Sequence, residues 1–313
     1  KQEPVNIPQI ETGVLTDVLN LPWGFEIYGF LTRWNPLNVK RPYPLPHNGK
    51  TVLVVGLGPA GYTLSHYLAR EGFGVIAIDG LKLEPTPQPW TGDLRGGVAP
   101  RPVREYRSLE VELDERVLAG FGGVSEYGIT VRWDKNFLSA VHLTLSRSPL
   151  IRMYGGVRFG GTLTLEDAFS FGIDHVAIAA GAGKPTFVDI ENNLCRGIRK
   201  ASDFLMALQL TGAYKKDSIA NLQIRLPAIV IGGGLTAIDT ATELLAYYVV
   251  QVEKVLARWD NMLGDVHGCA RQDKEARLLG IFDKEEREIL EEQLAHGRAV
   301  RAERQAAAAE GRE

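Results

Sequence analysis

KTVLVVGLGPAGYTLSHYLAREGFGVIAIDG, residues 50–80, is the stretch that decides the fold. Thr51–Val55 is a short apolar run rich in β-branched residues, typical of a strand buried on both faces. A glycine-rich loop follows, and then a pattern with helical spacing that Gly72 ends. The predicted packing face of this helix consists of Ala60, Leu64, Tyr67 and Leu68. Val75 to Ile78 predicts a second strand, so the stretch as a whole predicts a βαβ unit.

The loop between strand and helix, GLGPAG at residues 56–61, has the spacing G-x-G-x-x-G. In a dinucleotide site the first glycine permits a sharp turn, the second lets the backbone approach a pyrophosphate, and the third lets the helix pack closely. The amides and macrodipole of the helix N-terminus then hold negative charge without a basic side chain. The alternative is a Gly-rich turn in an unrelated α/β protein. The residues predicted to bind the dinucleotide here are Gly56, Gly58, Pro59, Ala60 and Gly61.

Three further places are predicted to face the same ligand. Asp79 ends the second strand about 20 residues beyond the glycines, where a carboxylate accepts hydrogen bonds from an adenosine ribose. Gly96 and Gly97 lie in a loop where backbone N–H groups can approach a cofactor, although a solvated surface loop is the alternative. His175 to Ala180 predicts a buried strand that ends in Gly181, and the small residues Ala180 and Gly181 leave room for a bound cofactor, although an ordinary strand-ending turn is the alternative.

A second fingerprint lies further along the chain. The apolar run at residues 226–231 predicts a strand, and Gly232, Gly234 and Ala237 then form G-x-G-x-x-A before another helix. Two such units suggest two nucleotides, as when one cofactor passes electrons to another. A further strand ending in an acid or arginine should follow, but residues 247–260 continue as a helix. The pattern therefore does not choose between NAD and NADP.

Composition excludes several classes of protein. The chain has 313 residues, 45% hydrophobic and 23% charged, with a net charge of −3, which favours a globular protein without nucleic acid as a partner. No apolar run is long enough for a membrane span and no signal peptide is evident, so we expect a cytoplasmic enzyme. Cys195 and Cys269 are the two cysteines, without C-x-x-C, and we expect neither a catalytic disulfide nor a metal site.

The sequence predicts an α/β fold with two Rossmann-like dinucleotide-binding domains, for FAD and NAD(P), of which the second is incomplete. Prolines are dense near the N-terminus, which predicts an extended arm with one short helix near residues 16–19, packed on the following domain. The C-terminus predicts a charged helical tail. The predicted segments are an arm at 1–48, the FAD domain at 49–190, the start of the NAD(P) domain at 191–260 and the helical segment at 261–313.

Taken in order, these motifs resemble the glutamate synthase small-subunit family of flavin oxidoreductases, which also includes the flavin module of dihydropyrimidine dehydrogenase. This family lies within the pyridine nucleotide-disulfide oxidoreductase superfamily and lacks the redox-active disulfide. The similarity runs from Val54 to Glu243. The matching pieces are VVGLGPAGYTLSHYLAREGFGVIAID, the glycine pair 96–97, FGGTLTLEDA, HVAIAAGAGKP, GIRKASDFL and IGGGLTAIDTATE.

The resemblance implies FAD on the first fingerprint, NAD(P)H on the second, and a hydride passed from nicotinamide to flavin. It also implies that electrons leave singly through iron–sulfur clusters to a partner domain or subunit. Three features depart from the family pattern. Residues 1–48 contain no cysteine-rich cluster domain, the arginines that mark NADP preference are absent from their expected place, and so is the segment that completes the flavin domain.

The leading interpretation is an FAD-dependent NAD(P)H oxidoreductase module. The alternatives are a non-catalytic nucleotide-binding scaffold and a flavin monooxygenase or amine oxidase; the second fingerprint argues against an amine oxidase. Only 76 residues follow Ala237, and the chain begins with Lys1, so we expect an incomplete oxidoreductase or a piece of a longer protein. A shortened family member whose helical tail covers the sheet edge is the other possibility. The sequence selects neither a terminal electron acceptor nor an oligomeric state.

Overall fold

The computed structural model of the chain describes residues 5, 7–35, 37, 39–40, 42–93, 96–112, 114–116, 136–185, 187–264 and 271–312. The chain divides into two compact units, Lys1–Leu210 and Thr211–Glu313. All strands of the described residues belong to the first unit. The domain limits predicted from the sequence, including the one between residues 190 and 191, stay predictions.

A four-stranded parallel sheet forms the centre of the first unit. Its strands are β1 (Thr51–Val55), β2 (Gly74–Ile78), β3 (Ile151–Tyr154) and β4 (His175–Ile178), in the spatial order β3-β2-β1-β4. Val55, the last residue of β1, pairs with Ile78 of β2 and with Ile178 of β4. The carboxyl ends of these strands therefore meet at one edge of the sheet, the carboxyl edge, which is where open α/β sheets bind ligands.

The first unit also contains helices. In chain order they are α1 (Ile7–Leu19), α2 (Gly24–Arg33), α3 (Pro59–Arg70), α4 (Gln88–Thr91), α5 (Phe137–Ser146), α6 (Leu165–Ser170) and α7 (Ala201–Thr211), with a 3₁₀ turn at Tyr106–Leu109. Of these, α3 and α5 pack on one face of this sheet and α6 on the other. Because side chains alternate along a strand, Val52 and Val54 share one core with Leu138 of α5, while Leu53 shares the opposite core with Ala168 of α6. This α/β arrangement is consistent with a Rossmann-like dinucleotide-binding fold.

The packing face of α3 differs from the predicted one. Its buried residues are Gly61, Ser65 and Ala69, whereas Tyr67 is 60% exposed and Ala60 is exposed. The two leucines of the predicted face are only partly buried against the core. Small side chains let the helix approach the sheet closely, so the residues nearest the strands are not the most apolar ones.

The prediction of an extended arm over residues 1–48 was wrong, because α1 and α2 occupy much of it. Pro8 lies in the first turn of α1, where no intrahelical amide donor is needed, and Pro22 lies between the two helices. Neither proline therefore interrupts a helix. Leu19 and Phe25 are each 2% exposed and pack in a core of the first unit, as expected for a segment packed on the domain that follows.

The described part of the second unit is helical. Besides the last residue of α7 it contains α8 (Leu235–Gly264), α9 (Arg271–Leu279) and α10 (Lys284–Glu310). Trp259 of α8 and Leu294 of α10 belong to one apolar core. The two helices approach closely at Gly297, where a Cβ would lie 2.7 Å from the carbonyl oxygen of Val252. These helices agree with the predicted helical tail.

The strand predicted at residues 226–231 was wrong, since no described residue of the second unit lies in a strand. Just before it, the backbone is bound by side chains of α8. The Leu222 N–H donates to the Tyr247 hydroxyl at 2.6 Å, and Ile224 exchanges hydrogen bonds of 2.8 and 3.0 Å with the amide of Gln251. A strand needs a neighbouring strand to pair with. At Leu222 and Ile224, helix side chains bind the backbone groups that a neighbouring strand would otherwise bind.

Candidate dinucleotide site

The first fingerprint begins at the carboxyl edge, directly after β1. The N–H of Gly56 donates to the carbonyl of Ile78 at 2.8 Å, at the end of β2. On the other side, the N–H of Ala179 donates to the carbonyl of Val55 at 2.7 Å. The turn that leaves β1 is thus held between the ends of β2 and β4.

Two of the fingerprint glycines leave no room for a side chain. Gly56 has a φ of 101°, in the left-handed region, and a Cβ there would lie 2.5 Å from the carbonyl oxygen of Ala179. A Cβ on Gly61 would overlap the carbonyl oxygen of Gly56. Both glycines therefore serve contacts within the protein, namely the sharp turn and the close approach of α3.

The N-terminus of α3 is open. Gly58 is the N-cap residue, Pro59 begins the helix, and no side chain caps the first turn. Pro59 and Ala60 are both exposed. The first amides of a helix have no acceptor within the helix and carry the positive end of its dipole. An uncapped helix N-terminus at the carboxyl edge of a parallel sheet fits a pyrophosphate.

Asp79 follows β2 and is half-buried. One carboxylate oxygen accepts a hydrogen bond from the N–H of Leu57 at 2.7 Å, and the other accepts one from the N–H of Leu81 at 2.8 Å. A carboxylate has about four lone-pair positions, so it can still accept hydrogen bonds from a ribose. The contact with the fingerprint loop was not predicted from the sequence, although the same spacing that predicts a ribose ligand places this carboxylate beside the loop.

The end of β4 borders the same turn. Ala180 and Gly181 follow the strand and are exposed. The prediction of a buried strand at residues 175–180 was wrong, because β4 is an edge strand of the described sheet and its last residue, Ile178, is 73% exposed. Gly181 has a φ of 69°, so a side chain there would be strained. Since Ala179 lies beside Gly56, the structure brings the end of β4 and the first fingerprint together, while their shared role in binding one ligand stays a prediction.

Gly96 and Gly97 lie at the exposed tip of a separate loop after α4. The N–H of Gly96 donates to the carboxylate of Asp93 at 2.9 Å, while Gly97 has a φ of 74° and open space where a Cβ would be. Asp93 and Val98 pair across the base of this tip. The hydrogen bond of Gly96 is thus within its own loop, and its approach to a cofactor stays a prediction.

The second fingerprint belongs to the second unit. The N–H of Ala237 donates to the carbonyl of Gly234 at 3.0 Å in the first turn of α8, and Gly232 has a φ of 140°. A Cβ on Gly232 would lie 3.2 Å from the Cβ of Ala237. The loop and helix of a dinucleotide-binding unit are therefore present, but the strand that should precede them is not, and Ile231 is 76% exposed.

Comparison with known proteins places these features in a family. The model of a family described as pyridine nucleotide-disulphide oxidoreductase matches residues 50–312, which begin immediately before β1 and include both fingerprints. The chain belongs to this family. Membership suggests redox activity with NAD(P)H and flavin, and the parallel α/β sheet is consistent with a dinucleotide-binding fold.

Two relatives illustrate the range of similarity. An uncharacterized protein of Rickettsia prowazekii (strain Madrid E) is 46% identical over 298 residues, which cover 95% of this chain and 38% of the relative. The NADPH-Fe(3+) oxidoreductase subunit beta of Geobacter sulfurreducens, from two strains, is 28% identical over 202 residues, 63% of this chain and 23% of the relative. The chain therefore spans well under half the length of these curated relatives.

The disulphide in the family description has no counterpart among the motifs of this sequence, because its two cysteines, Cys195 and Cys269, are widely separated along the chain. Cys195 is exposed and not in a disulfide, and Cys269 lies outside the described residues. Among the helices that the structure describes, none has both the length and the apolar character required to cross a bilayer. In the same residues, no group of three or more His, Cys, Asp or Glu side chains is arranged to hold a metal ion.

Proposed function

We propose that this chain is the FAD- and NAD(P)H-binding module of an oxidoreductase that passes a hydride from NAD(P)H to FAD and electrons onward to a redox partner. One observation carries the proposal. The uncapped N-terminus of α3, the Asp79 carboxylate and the small residues after β4 all lie at the carboxyl edge of one parallel sheet. This edge is the ligand position of open α/β sheets, and the family membership supports the same chemistry.

In this proposal the chain's own groups bind and orient the cofactor. Gly58 and the first amides of α3 hold the pyrophosphate, and the remaining acceptor positions of Asp79 hold the adenosine ribose. The exposed backbone at Ala180 and Gly181 leaves room beside the sheet for the rest of the molecule. FAD, when bound, supplies an acceptor for a hydride and releases electrons singly.

The nicotinamide half of the proposal rests on Gly232, Gly234 and Ala237 at the start of α8. A second candidate function, a nucleotide-binding scaffold without turnover, is favoured by one observation: residues 226–231 do not form a strand before this fingerprint. A crevice for NAD(P)H needs strand ends on both sides of the fingerprint. The oxidoreductase proposal predicts that NADH or NADPH reduces the bound FAD, whereas the scaffold proposal predicts that neither does.

The proposed partner is a domain or subunit that carries an iron–sulfur cluster, as in the glutamate synthase-like proteins that the motifs resemble. The Geobacter relative supports a partner, because its name describes a subunit of an NADPH-Fe(3+) oxidoreductase. A cluster on the partner also agrees with the scarcity of cysteines in this sequence. The proposed location of this assembly is the cytoplasm.

The proposal is tested with the purified chain and its Gly58→Val variant. We expect the wild-type chain to bind FAD and to show a flavin band at about 450 nm. We expect the variant to retain no FAD, because a side chain at position 58 would occupy the space of the phosphates. Anaerobic addition of NADH or NADPH, with ferricyanide as acceptor, then measures hydride transfer. FAD binding without any reduction would favour the scaffold. Stoichiometric FAD in the Gly58→Val variant would show that the cofactor is placed wrongly.

A further inference from the structure

The loop that carries the Gly96–Gly97 tip is held together at two levels. Its two sides are residues 88–93 and 98–103. Asp93 and Val98 exchange backbone hydrogen bonds of 2.9 and 2.8 Å just below the tip. Further down, the N–H of Arg101 donates to the carbonyl of Pro89 at 2.6 Å. The tip therefore stands on a closed base rather than on a loose loop.

The guanidinium of Arg147 joins both sides of this base. Its Nε donates to the carbonyl of Trp90 at 2.8 Å, and its Nη2 donates to the carbonyl of Arg101 at 2.9 Å. Its Nη1 donates to both carboxylate oxygens of Glu26, at 2.9 and 3.1 Å. The Arg147 side chain is only 3% exposed, and all three of its nitrogens donate hydrogen bonds.

This cluster connects the loop to the body of the first unit. Arg147 directly follows α5, whose Leu145 packs in the core against the sheet. Glu26 of α2 also accepts a hydrogen bond from the N–H of Val103 at 2.7 Å, and the Phe25 ring centroid lies 5.1 Å from the guanidinium carbon. A buried guanidinium without a counter-charge would be strongly destabilising, so Glu26 is needed for Arg147 to occupy this place.

We propose that Arg147, with Glu26 as its counter-ion, is a positioning residue that holds the Gly96–Gly97 tip in place for FAD. This inference rests on the proposed function. A planar guanidinium reaches two carbonyls and a carboxylate at once, which a lysine ammonium on a single stem does not. Holding the loop before the ligand arrives reduces the ordering cost of binding, and affinity rises accordingly.

The test uses Arg147→Lys and Glu26→Gln in the full chain. Arg107→Lys, at an exposed arginine, is the matched control for the exchange of residue type. Amide hydrogen exchange of the FAD-free protein and FAD titration are both measured at a temperature where circular dichroism shows a folded chain. For Arg147→Lys we expect exchange at residues 96–98 to accelerate about tenfold or more, with β1 and α3 unchanged. We expect the Kd for FAD to rise about tenfold.

Each outcome distinguishes the two proposals. If the wild-type chain binds FAD and folded Arg147→Lys binds it equally well, Arg147 does not position the loop for the cofactor. If the wild-type chain binds no FAD, the proposed function fails, and this inference fails with it. Should Arg147→Lys not fold, Glu26→Gln becomes the deciding variant, because it keeps one acceptor oxygen that Arg147 and Val103 can share but removes the charge and the second acceptor. Unchanged exchange and affinity in Glu26→Gln would then overturn the proposal.

Discussion

Asp79 makes two hydrogen bonds to backbone amides, one of them within the fingerprint loop, and an alanine variant loses both. A hydrogen bond to a charged group contributes about 1.5–3 kcal/mol. We therefore expect Asp79→Ala to destabilise the chain and to weaken FAD binding by about tenfold or more, because the ribose contact and the loop geometry are lost together. Urea unfolding and FAD titration measure the two effects.

Asp174 offers a matched control for Asp79. Its carboxylate also accepts two hydrogen bonds, from the N–H of Thr51 at 2.8 Å and from Lys50 Nζ at 2.7 Å, but next to the first residues of β1 and β4, at the opposite end of the strands. We expect Asp174→Ala to lose stability while its folded fraction keeps the affinity for FAD. Equal FAD affinity in Asp79→Ala and Asp174→Ala would argue against a ribose ligand at Asp79.

At the scale of the element, two helix-interior glycines have opposite surroundings. A Cβ on Gly297 of α10 would lie 2.7 Å from the Val252 carbonyl oxygen and 3.0 Å from the Leu256 Cβ, whereas a Cβ on Gly13 of α1 would meet nothing within 4 Å. We expect Gly13→Ala to stabilise the chain by up to about 1 kcal/mol through helix propensity. We expect Gly297→Ala to destabilise it by about 1–3 kcal/mol, because α8 and α10 must move apart.

Urea unfolding monitored by circular dichroism measures both glycine variants. The pair controls for the intrinsic effect of replacing glycine by alanine within a helix, which is the same at both positions. A Gly297→Ala variant as stable as Gly13→Ala would mean that α8 and α10 are not packed as closely as described.

At the scale of the whole molecule, His142 makes stability depend on pH. It is 2% exposed, its Nδ1 lies 2.9 Å from the Thr86 hydroxyl, and burial lowers its pKa from 6.5 to about 4. Between pH 6.5 and about pH 4, His142 is therefore protonated in the unfolded chain and neutral in the folded chain. The contribution of neutral His142 to the free energy of unfolding is complete above pH 6.5 and is lost as the pH falls towards 4. The free energy of unfolding then falls by up to about 1.4 kcal/mol per pH unit, and by about 3 kcal/mol over the whole range.

Urea unfolding at pH 7, 6 and 5 compares wild type with His142→Gln, which does not titrate. We expect the unfolding free energy of the variant to fall less steeply with decreasing pH. His175→Gln is the control, because His175 is exposed. A pH dependence in His142→Gln as steep as in wild type would show that the pKa of His142 is not lowered by folding.

The local parts of the fold follow from the sequence because short-range effects control them. The apolar run at Thr51–Val55, the positive φ of Gly56 and the start of α3 are local features, so neighbouring residues are enough to predict where they occur. The predicted strand Val75 to Ile78 was found one residue longer. Membership of the pyridine nucleotide-disulphide oxidoreductase family agrees with the broader of the resemblances drawn from these motifs.

Contacts between distant residues were decided by the tertiary structure alone. Arg147 and Glu26 are 121 residues apart, and no local pattern marks them as partners. The small residues of α3 lie against the sheet because backbone proximity, not hydrophobicity, determines that contact. The run at residues 226–231 has the composition of a strand, but among the residues that the structure describes no strand lies beside it, and pairing requires a partner whose position no local pattern specifies.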